Sequence, residues 1–205
     1  MTYKARWILT CLLATACASA PTRESSAPRY DLLITNGRII DGTGSPWYRG
    51  DVAIRGDRIA AVGVLRGAHA RDTIDASGLV VSPGWIDMLG HSEYSLLDDG
   101  RALSKITQGI TTEITGEVTS VVPVNERTLR ELGFARSNRV DWTDLNGYFA
   151  RLERERPAIN LATFVTVGSV RRYVMGDANR PATSDELSQM RALVAEAMQQ
   201  RAVGL

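Results

Sequence analysis

The side chains best suited to chemistry in this sequence come at the ends of three apolar runs. The first run, "VVSPGWIDMLGH", ends in His91, and two later runs end in Glu117 and Ser169. Imidazole nitrogens and carboxylate oxygens bind zinc in proteins, and carboxylates also suit other divalent ions. The three residues are therefore candidates for a metal site and for contact with a substrate.

The first run lacks one of the two imidazoles that a strand end could offer to a metal ion. In an extended strand, side chains two residues apart share a face, so Asp87, Leu89 and His91 are expected to point together. Glu93 would extend the series. Imidazoles at positions 89 and 91 could meet one zinc ion at about 2.0–2.1 Å, but the isobutyl group of Leu89 cannot donate electrons. Three roles stay open for His91: a metal ligand, a hydrogen-bond partner of the substrate, or a polar residue at the strand end.

The second and third runs end in a carboxylate and a hydroxyl group. Glu117 is a candidate metal ligand, and the alternative is a glutamate that is solvated or salt-bridged. Glu113, four residues earlier on the same face, is expected to be structural or paired. Ser169 has no histidine or aspartate near it in the sequence, which argues against a serine nucleophile and leaves a contact with the substrate.

One predicted helix follows each of the three runs. The helices are "DGRALSKITQ", "DLNGYFARLERE" and "TSDELSQMRALVAEAMQQRA", and the last has an N-cap candidate in Thr183 or Ser184. Strands that alternate with helices predict parallel βαβ units. We therefore expect an α/β domain over residues 83–205.

The length of this second segment predicts an incomplete barrel. Residues 83–205 are about half of the roughly 250 residues that a closed eight-stranded barrel needs, and "AVGL" at the end resembles the opening of a fourth strand. We expect a truncated chain, and the alternative is a complete small α/β domain.

Residues 30–82 have a different rhythm, in which short β-rich pieces are separated by turns. Asn36-Gly37 and Gly56-Asp57 are turn signals between apolar runs, so we predict a small antiparallel sheet. No candidate catalytic cluster falls in this segment, and His69 is expected to be an exposed residue in a polar connection.

The N-terminal stretch is typical of a secretory signal, with a basic beginning and an apolar core too short to span a bilayer. One route is cleavage after Ala20, and the other is a lipoprotein box, "LATAC", in which Cys17 is lipidated. We assign residues 1–20 to a signal peptide and 21–29 to a linker. The protein is expected to be exported, either to a bacterial periplasm or to a membrane anchor at Cys17.

The overall composition is that of a globular protein without the charge pattern of a nucleic-acid-binding protein. Hydrophobic residues make up 44% of the chain and charged residues 23%, which is ordinary for a soluble domain. The net charge of +1 and the lack of a basic run with aromatics argue against nucleic-acid binding.

Five segments carry a family resemblance. They are "YDLLITNGRIIDGTG", "GDVAIRGDRIAAVG", "VVSPGWID", "TQGITTEITGE" and "VMGDANRPATSDELSQMRALVAEAMQQRAVGL". In this order they resemble the N-acyl-D-amino-acid deacylases, or D-aminoacylases, of the amidohydrolase superfamily. The resemblance implies a TIM-like (β/α)8 barrel preceded by a small β-sandwich segment, of which this chain would be the N-terminal part.

The resemblance also implies a reaction and a cofactor. Family members hydrolyse the amide bond of N-acylated D-amino acids, with one or two zinc ions at the C-terminal face of the barrel. Leu89 stands where the family has a histidine, and Glu117 where it often has a cysteine. Ser169 stands where relatives commonly have histidine after glycine. The remaining metal histidines and the aspartate that acts as general acid/base would lie beyond Leu205, so the chain alone is expected to be inactive.

Two other functions stay open. A non-catalytic binding protein on a degenerate scaffold would also explain Leu89, because function lies in the site rather than in the fold. A cyclic-amide hydrolase related to dihydropyrimidinase is a more distant alternative. The segment "VMGDANRPATSDEL" argues against it, because this segment resembles the deacylase branch.

Overall fold

The computed structural model describes residues 29–132 and 140–205. They form two compact units, of which the first ends at Ser82 and the second begins at Pro83. The predicted signal peptide, its alternative lipidation site Cys17, and nearly all of the predicted linker lie outside the described residues. Within the described ranges, no helix is long and apolar enough to cross a membrane.

The first unit is a five-stranded mixed sheet. Its strands are β1 (Arg29–Ile39), β2 (Tyr48–Arg55), β3 (Arg58–Gly63), β4 (His69–Asp75) and β5 (Val80–Val81). The order is β3-β2-β1-β4, and β5 also pairs with β1. β1, β2 and β3 are antiparallel neighbours, whereas β4 and β5 run parallel to β1. The predicted antiparallel sheet is confirmed for β1, β2 and β3 and is wrong for β4 and β5, because after β3 the chain crosses to the far side of β1 and runs in the same direction as β1.

The two turn signals of this unit have different outcomes. Gly56 and Asp57 connect β2 to β3, with Arg55 opposite Arg58, so the predicted hairpin is confirmed. Asn36, by contrast, lies within β1, where the pairing register with β2 shifts between Ile34 and Gly37. Asn36 has a φ of 62°, a conformation that a β-bulge can use as readily as a turn.

The second unit is a parallel sheet covered by helices. Its strands are β6 (Trp85–Asp87), β7 (Ile110–Thr115) and β8 (Asn160–Thr163), in the order β6-β7-β8. Its helices are α1 (Leu103–Ile106), α2 (Glu126–Leu132), α3 (Leu145–Glu155), α4 (Val167–Met175) and α5 (Ser184–Gln199). Both strand pairs are parallel, so the predicted βαβ pattern is confirmed over these residues.

Two elements of the second unit are shorter than predicted. β6 ends at Asp87 rather than at His91. The predicted helix "DGRALSKITQ" is helical only over Leu103–Ile106, since Ala102 before it has a left-handed φ of 47°. Both segments adjoin candidate site residues. Because their backbone is irregular, their side chains do not follow the alternation of a strand or the spacing of a helix.

One hydrophobic core holds the second unit together. The largest of its fully buried side chains include Tyr148 and Leu145 on α3, Val165 after β8, and Val170 on α4. The buried Tyr148 hydroxyl donates a hydrogen bond of 2.9 Å to the carbonyl oxygen of Glu93. The core thereby reaches the loop that follows the first candidate residue, His91.

The start of α5 is capped as the sequence predicts, and Thr183 rather than Ser184 is the cap. The Thr183 hydroxyl accepts from the backbone N–H of Glu186 at 3.2 Å, and the Glu186 carboxylate accepts from the Thr183 N–H at 2.8 Å. Arg180 donates to both oxygens of that carboxylate. These bonds, first the one from Arg180, lower the pKa of Glu186 from 4.5 to about 2.

Thr183→Ala is expected to lower the free energy of unfolding by about 1 kcal/mol, because one N-terminal amide of α5 loses its acceptor. Thr183→Ser should keep most of the stability. Ser188→Ala is the matched control, since the Ser188 hydroxyl only donates to the Ser184 carbonyl within the same helix. Urea unfolding measures all three, and equal losses for Thr183→Ala and Ser188→Ala would contradict the capping role.

Candidate metal and substrate site

The three candidate residues follow the ends of the three parallel strands. His91 lies four residues after β6 and is exposed, and Glu117 lies two residues after β7 and is also exposed. Ser169 lies in the first turn of α4, after β8, and is half-buried. Because the strands are parallel, these positions belong to the same edge of the sheet.

The predicted shared face beyond β6 is not formed. Asp87 is half-buried, Leu89 and His91 are exposed, and Glu93 is only 6% exposed. The extended backbone ends at Asp87, and the Gly90 N–H then donates to the carbonyl oxygen of Ile114 at 2.9 Å. The alternation of side chains therefore stops where the chain folds over the end of β7. We call residues Leu89–Ser92 the crossing segment.

A partly buried ion-pair cluster lies beside the crossing segment. Lys105 on α1 donates to the Asp87 carboxylate at 2.5 Å, and its Nζ lies 3.5 Å from Oε2 of Glu113. Asp87 and Glu113 are direct neighbours across β6 and β7. The hydrogen bond from Lys105 lowers the pKa of Asp87, and the same bond raises the pKa of Lys105. One ammonium is thus shared by two carboxylates.

Glu113 is the most enclosed member of this cluster. Its side chain is fully buried, and its Oε1 accepts a 2.9 Å hydrogen bond from the Ser92 N–H. A methyl group on Gly90 would lie 1.8 Å from the same oxygen. Glycine is therefore required at position 90 by contact with the carboxylate. The prediction that Glu113 is structural or paired is confirmed.

The sequence did not point to Lys105. It is eighteen residues from Asp87 along the chain, and nothing in its local pattern distinguishes it from a surface lysine. The signal that could have found it is topological. A helix that connects two neighbouring parallel strands packs against both of them, so a lysine on it can reach a carboxylate of each.

The segment that carries Glu117 is held by the start of α4. The Thr166 hydroxyl donates to the Gly116 carbonyl at 2.5 Å, and the Ser120 N–H donates to Oγ of Ser169 at 3.1 Å. The Thr166 N–H in turn donates to the Ser120 hydroxyl at 3.1 Å. Ser169 therefore has a structural partner, and its contact with a substrate stays a prediction.

The available donors match zinc in kind but do not form a complete site. An imidazole and a carboxylate are both zinc ligands, and catalytic zinc commonly has three protein ligands. Asp87 and Glu113 are already committed to Lys105. Over residues 29–132 and 140–205, no three histidine, cysteine, aspartate or glutamate side chains lie together in a way that could hold an ion. His91 and Glu117 remain the predicted ligands.

The chain is similar to enzymes that remove acyl groups from D-amino acids, although no family model matches it. It is 38% identical over 190 residues to the D-aminoacylase of Alcaligenes xylosoxydans xylosoxydans, which covers 89% of this chain and 38% of that protein. This chain therefore spans well under half the length of that relative.

Two solved structures show the same relationship. One is a D-aminoacylase, which matches at 38% identity and a TM-score of 0.72. Its structure concerns the functional role of the binuclear metal center, with one-metal activation and second-metal attenuation. That match covers 85% of this chain and 38% of the other. The N-acyl-D-glutamate deacylase of Bordetella bronchiseptica, complexed with zinc and a phosphonate mimic of the tetrahedral intermediate, matches at 35% identity and a TM-score of 0.73. It covers 86% of this chain and 38% of the other.

Sequence and structure agree on the relationship. The matches extend over most of the described residues, at identities of 35–38%. They confirm the resemblance drawn from the motifs, and this chain is a homologue of the N-acyl-D-amino-acid deacylases, a group of amidohydrolases.

Proposed function

We propose that this chain is part of a metal-dependent amidohydrolase that hydrolyses the amide bond of N-acyl-D-amino acids. The observation that carries the proposal is the homology with the D-aminoacylase over 89% of the chain. The positions of His91 and Glu117 support it. Both side chains are exposed and can bind zinc, and both follow the carboxyl ends of parallel strands, where such enzymes bind substrates.

The proposal includes a larger fold. The parallel strands β6, β7 and β8 would belong to a TIM-like (β/α)8 barrel, and the first unit to a β-sandwich. The parallel register of the three strands supports the barrel, as does the fact that the relatives are much longer than this chain. The general acid/base and the remaining metal ligands would come from parts of the fold that this chain does not span.

We propose that the centre holds one zinc ion, with His91 and Glu117 among its ligands. When bound, zinc polarises the amide carbonyl and lowers the pKa of water. Two observations support a single ion: Leu89 cannot donate, and Lys105 is paired with both Asp87 and Glu113. The related D-aminoacylase, for which one metal activates and a second attenuates, is a precedent for an active centre with one ion.

A non-catalytic binding protein is the second candidate function. Leu89 favours it, because the side chain removes a donor from the strand end without adding another polar group. A binding protein would take up N-acyl-D-amino acids without turning them over, whereas an enzyme would release the acyl group as a carboxylic acid.

The complete protein that contains this chain is expected to hydrolyse N-acetyl-D-amino acids, and to lose this activity on treatment with a chelator and regain it with zinc. The 205-residue chain alone is expected to show no turnover. Release of free D-amino acid, measured with both L- and D-substrates, is the assay. Binding without turnover by the zinc-loaded complete protein would favour the binding function.

In the complete protein, Glu117→Gln is expected to lower zinc content more than His91→Ala. Without a second imidazole two residues away, His91 gains no chelate advantage, whereas Glu117 contributes a negative charge to the cation. Zinc per folded molecule, measured by mass spectrometry, checks the ranking. Glu126→Gln and His69→Ala are matched controls, since both residues are exposed, Glu126 begins α2, and His69 belongs to the first unit. Full zinc in Glu117→Gln with loss in His91→Ala would reverse the ranking.

We also propose that the protein is exported. The basic beginning and short apolar core of residues 1–20 support a cleaved signal. Intact-mass measurement of protein from the membrane and periplasmic fractions is expected to give a mature chain that begins at Cys17, with a diacylglyceryl mass, or after Ala20. A product that still begins at Met1 would refute cleavage by either route.

A further inference from the structure

We propose that Glu113 is a positioning residue for His91, and that it acts through the backbone of the crossing segment (Leu89–Ser92). The role of His91 as a metal donor is taken from the proposed function. Glu113 would not bind the metal itself, because its oxygens face the Ser92 amide and Lys105.

Both chain neighbours of His91 are fixed by β7. On the C-terminal side, Oε1 of Glu113 accepts from the Ser92 N–H at 2.9 Å. On the N-terminal side, the Gly90 N–H donates to the Ile114 carbonyl, and the α-carbon of Gly90 packs directly against the Glu113 carboxylate. The imidazole is exposed, but the backbone from which it projects is held at two points.

The orientation of the Glu113 carboxylate is fixed in turn by its counter-ion. A fully buried carboxylate has no water to stabilise its charge, and burial is costly without a partner. Lys105 faces Oε2, which leaves Oε1 for the Ser92 amide. Lys105 is itself held by Asp87 on β6. The counter-ion thus sets the orientation of the Glu113 carboxylate, and the length of the side chain sets how far Oε1 reaches toward the Ser92 amide.

Two substitutions at Glu113 separate the effect of side-chain length from the effect of the negative charge. Glu113→Gln keeps the length and an oxygen that can accept from Ser92, but it removes the charge and turns an NH2 group toward Lys105, which keeps its hydrogen bond to Asp87. Glu113→Asp keeps the charge that faces Lys105, but the side chain is one methylene shorter and withdraws from the Ser92 amide. If Glu113 positions His91, the Asp variant should disturb His91 and the Gln variant should not.

The histidine side-chain NMR signals of the metal-free protein report this directly. In the complete protein, the His91 and His69 signals are assigned by their loss in His91→Ala and His69→Ala, and His69 on β4, which belongs to the first unit, serves as the internal control. At about pH 8.5, where an unperturbed imidazole is neutral, the His91 signal is expected to move or broaden in Glu113→Asp and to match wild type in Glu113→Gln. His69 should stay unchanged in both. An unchanged His91 signal in Glu113→Asp, or a larger change in Glu113→Gln, would overturn the proposal.

Zinc affinity supplies the functional readout. Groups that orient a metal ligand typically contribute 10- to 100-fold in metal affinity, so Glu113→Asp should weaken zinc binding by about 10-fold or more while Glu113→Gln stays near wild type. If the wild-type protein binds no zinc, the assignment of the metal centre fails, and the NMR comparison still decides whether Glu113 positions His91.

A change on the opposite side of the contact gives an independent test. Gly90→Ala places a methyl group against the Glu113 carboxylate, so it should destabilise the protein and shift the His91 signal. Combined with Glu113→Asp, which opens space, the same substitution should cost less stability than it does alone. Additive losses in urea unfolding would show that Gly90 and Glu113 do not act as a unit, and would contradict the proposal.

Discussion

The ion pairs of Lys105 with Asp87 and Glu113 hold together the carboxyl ends of β6 and β7, which the candidate residues His91 and Glu117 follow. Glu113 lies on a central strand and is fully buried, a position that would be strongly unfavourable for an unpaired charge. The ion pair with Lys105 offsets part of the cost of burying the Glu113 charge. Lys105 lies on α1, the helix that links β6 and β7. Because Asp87 shares the same lysine, the cluster also fixes the end of β6 against β7.

This constraint decides which of the metal-competent side chains are already paired within the fold. Asp87 and Glu113 are chemically suitable metal donors, yet both serve as scaffold. The exposed groups at the strand ends, His91 and Glu117, lie instead on irregular segments that are tied to a neighbouring element. His91 is flanked by contacts to β7, and Glu117 follows a glycine whose carbonyl accepts from Thr166. The arrangement separates the groups that hold the edge together from those that would contact a metal ion.

The sequence was a good guide where structure depends on neighbours in the chain. The capped start of α5 and the β2–β3 hairpin follow from local signals, and both are observed. It was a poor guide where tertiary contacts compete with local preference. The Asn36-Gly37 signal marks a bulge, because a positive φ suits both a turn and a bulge, and the choice depends on pairing with β2. The end of β6 at Asp87 could not be read from the apolar run, since it depends on the Gly90–Ile114 hydrogen bond and on Glu113.

The position of zinc in crystals of the complete protein, located by anomalous scattering at the zinc absorption edge, tests the central claim most directly. A zinc peak is expected about 2.0–2.2 Å from a ring nitrogen of His91 and a carboxylate oxygen of Glu117. Lys105 should remain between Asp87 and Glu113. A zinc ion bound by either of those two carboxylates, with Lys105 displaced, would contradict the division between scaffold and ligand.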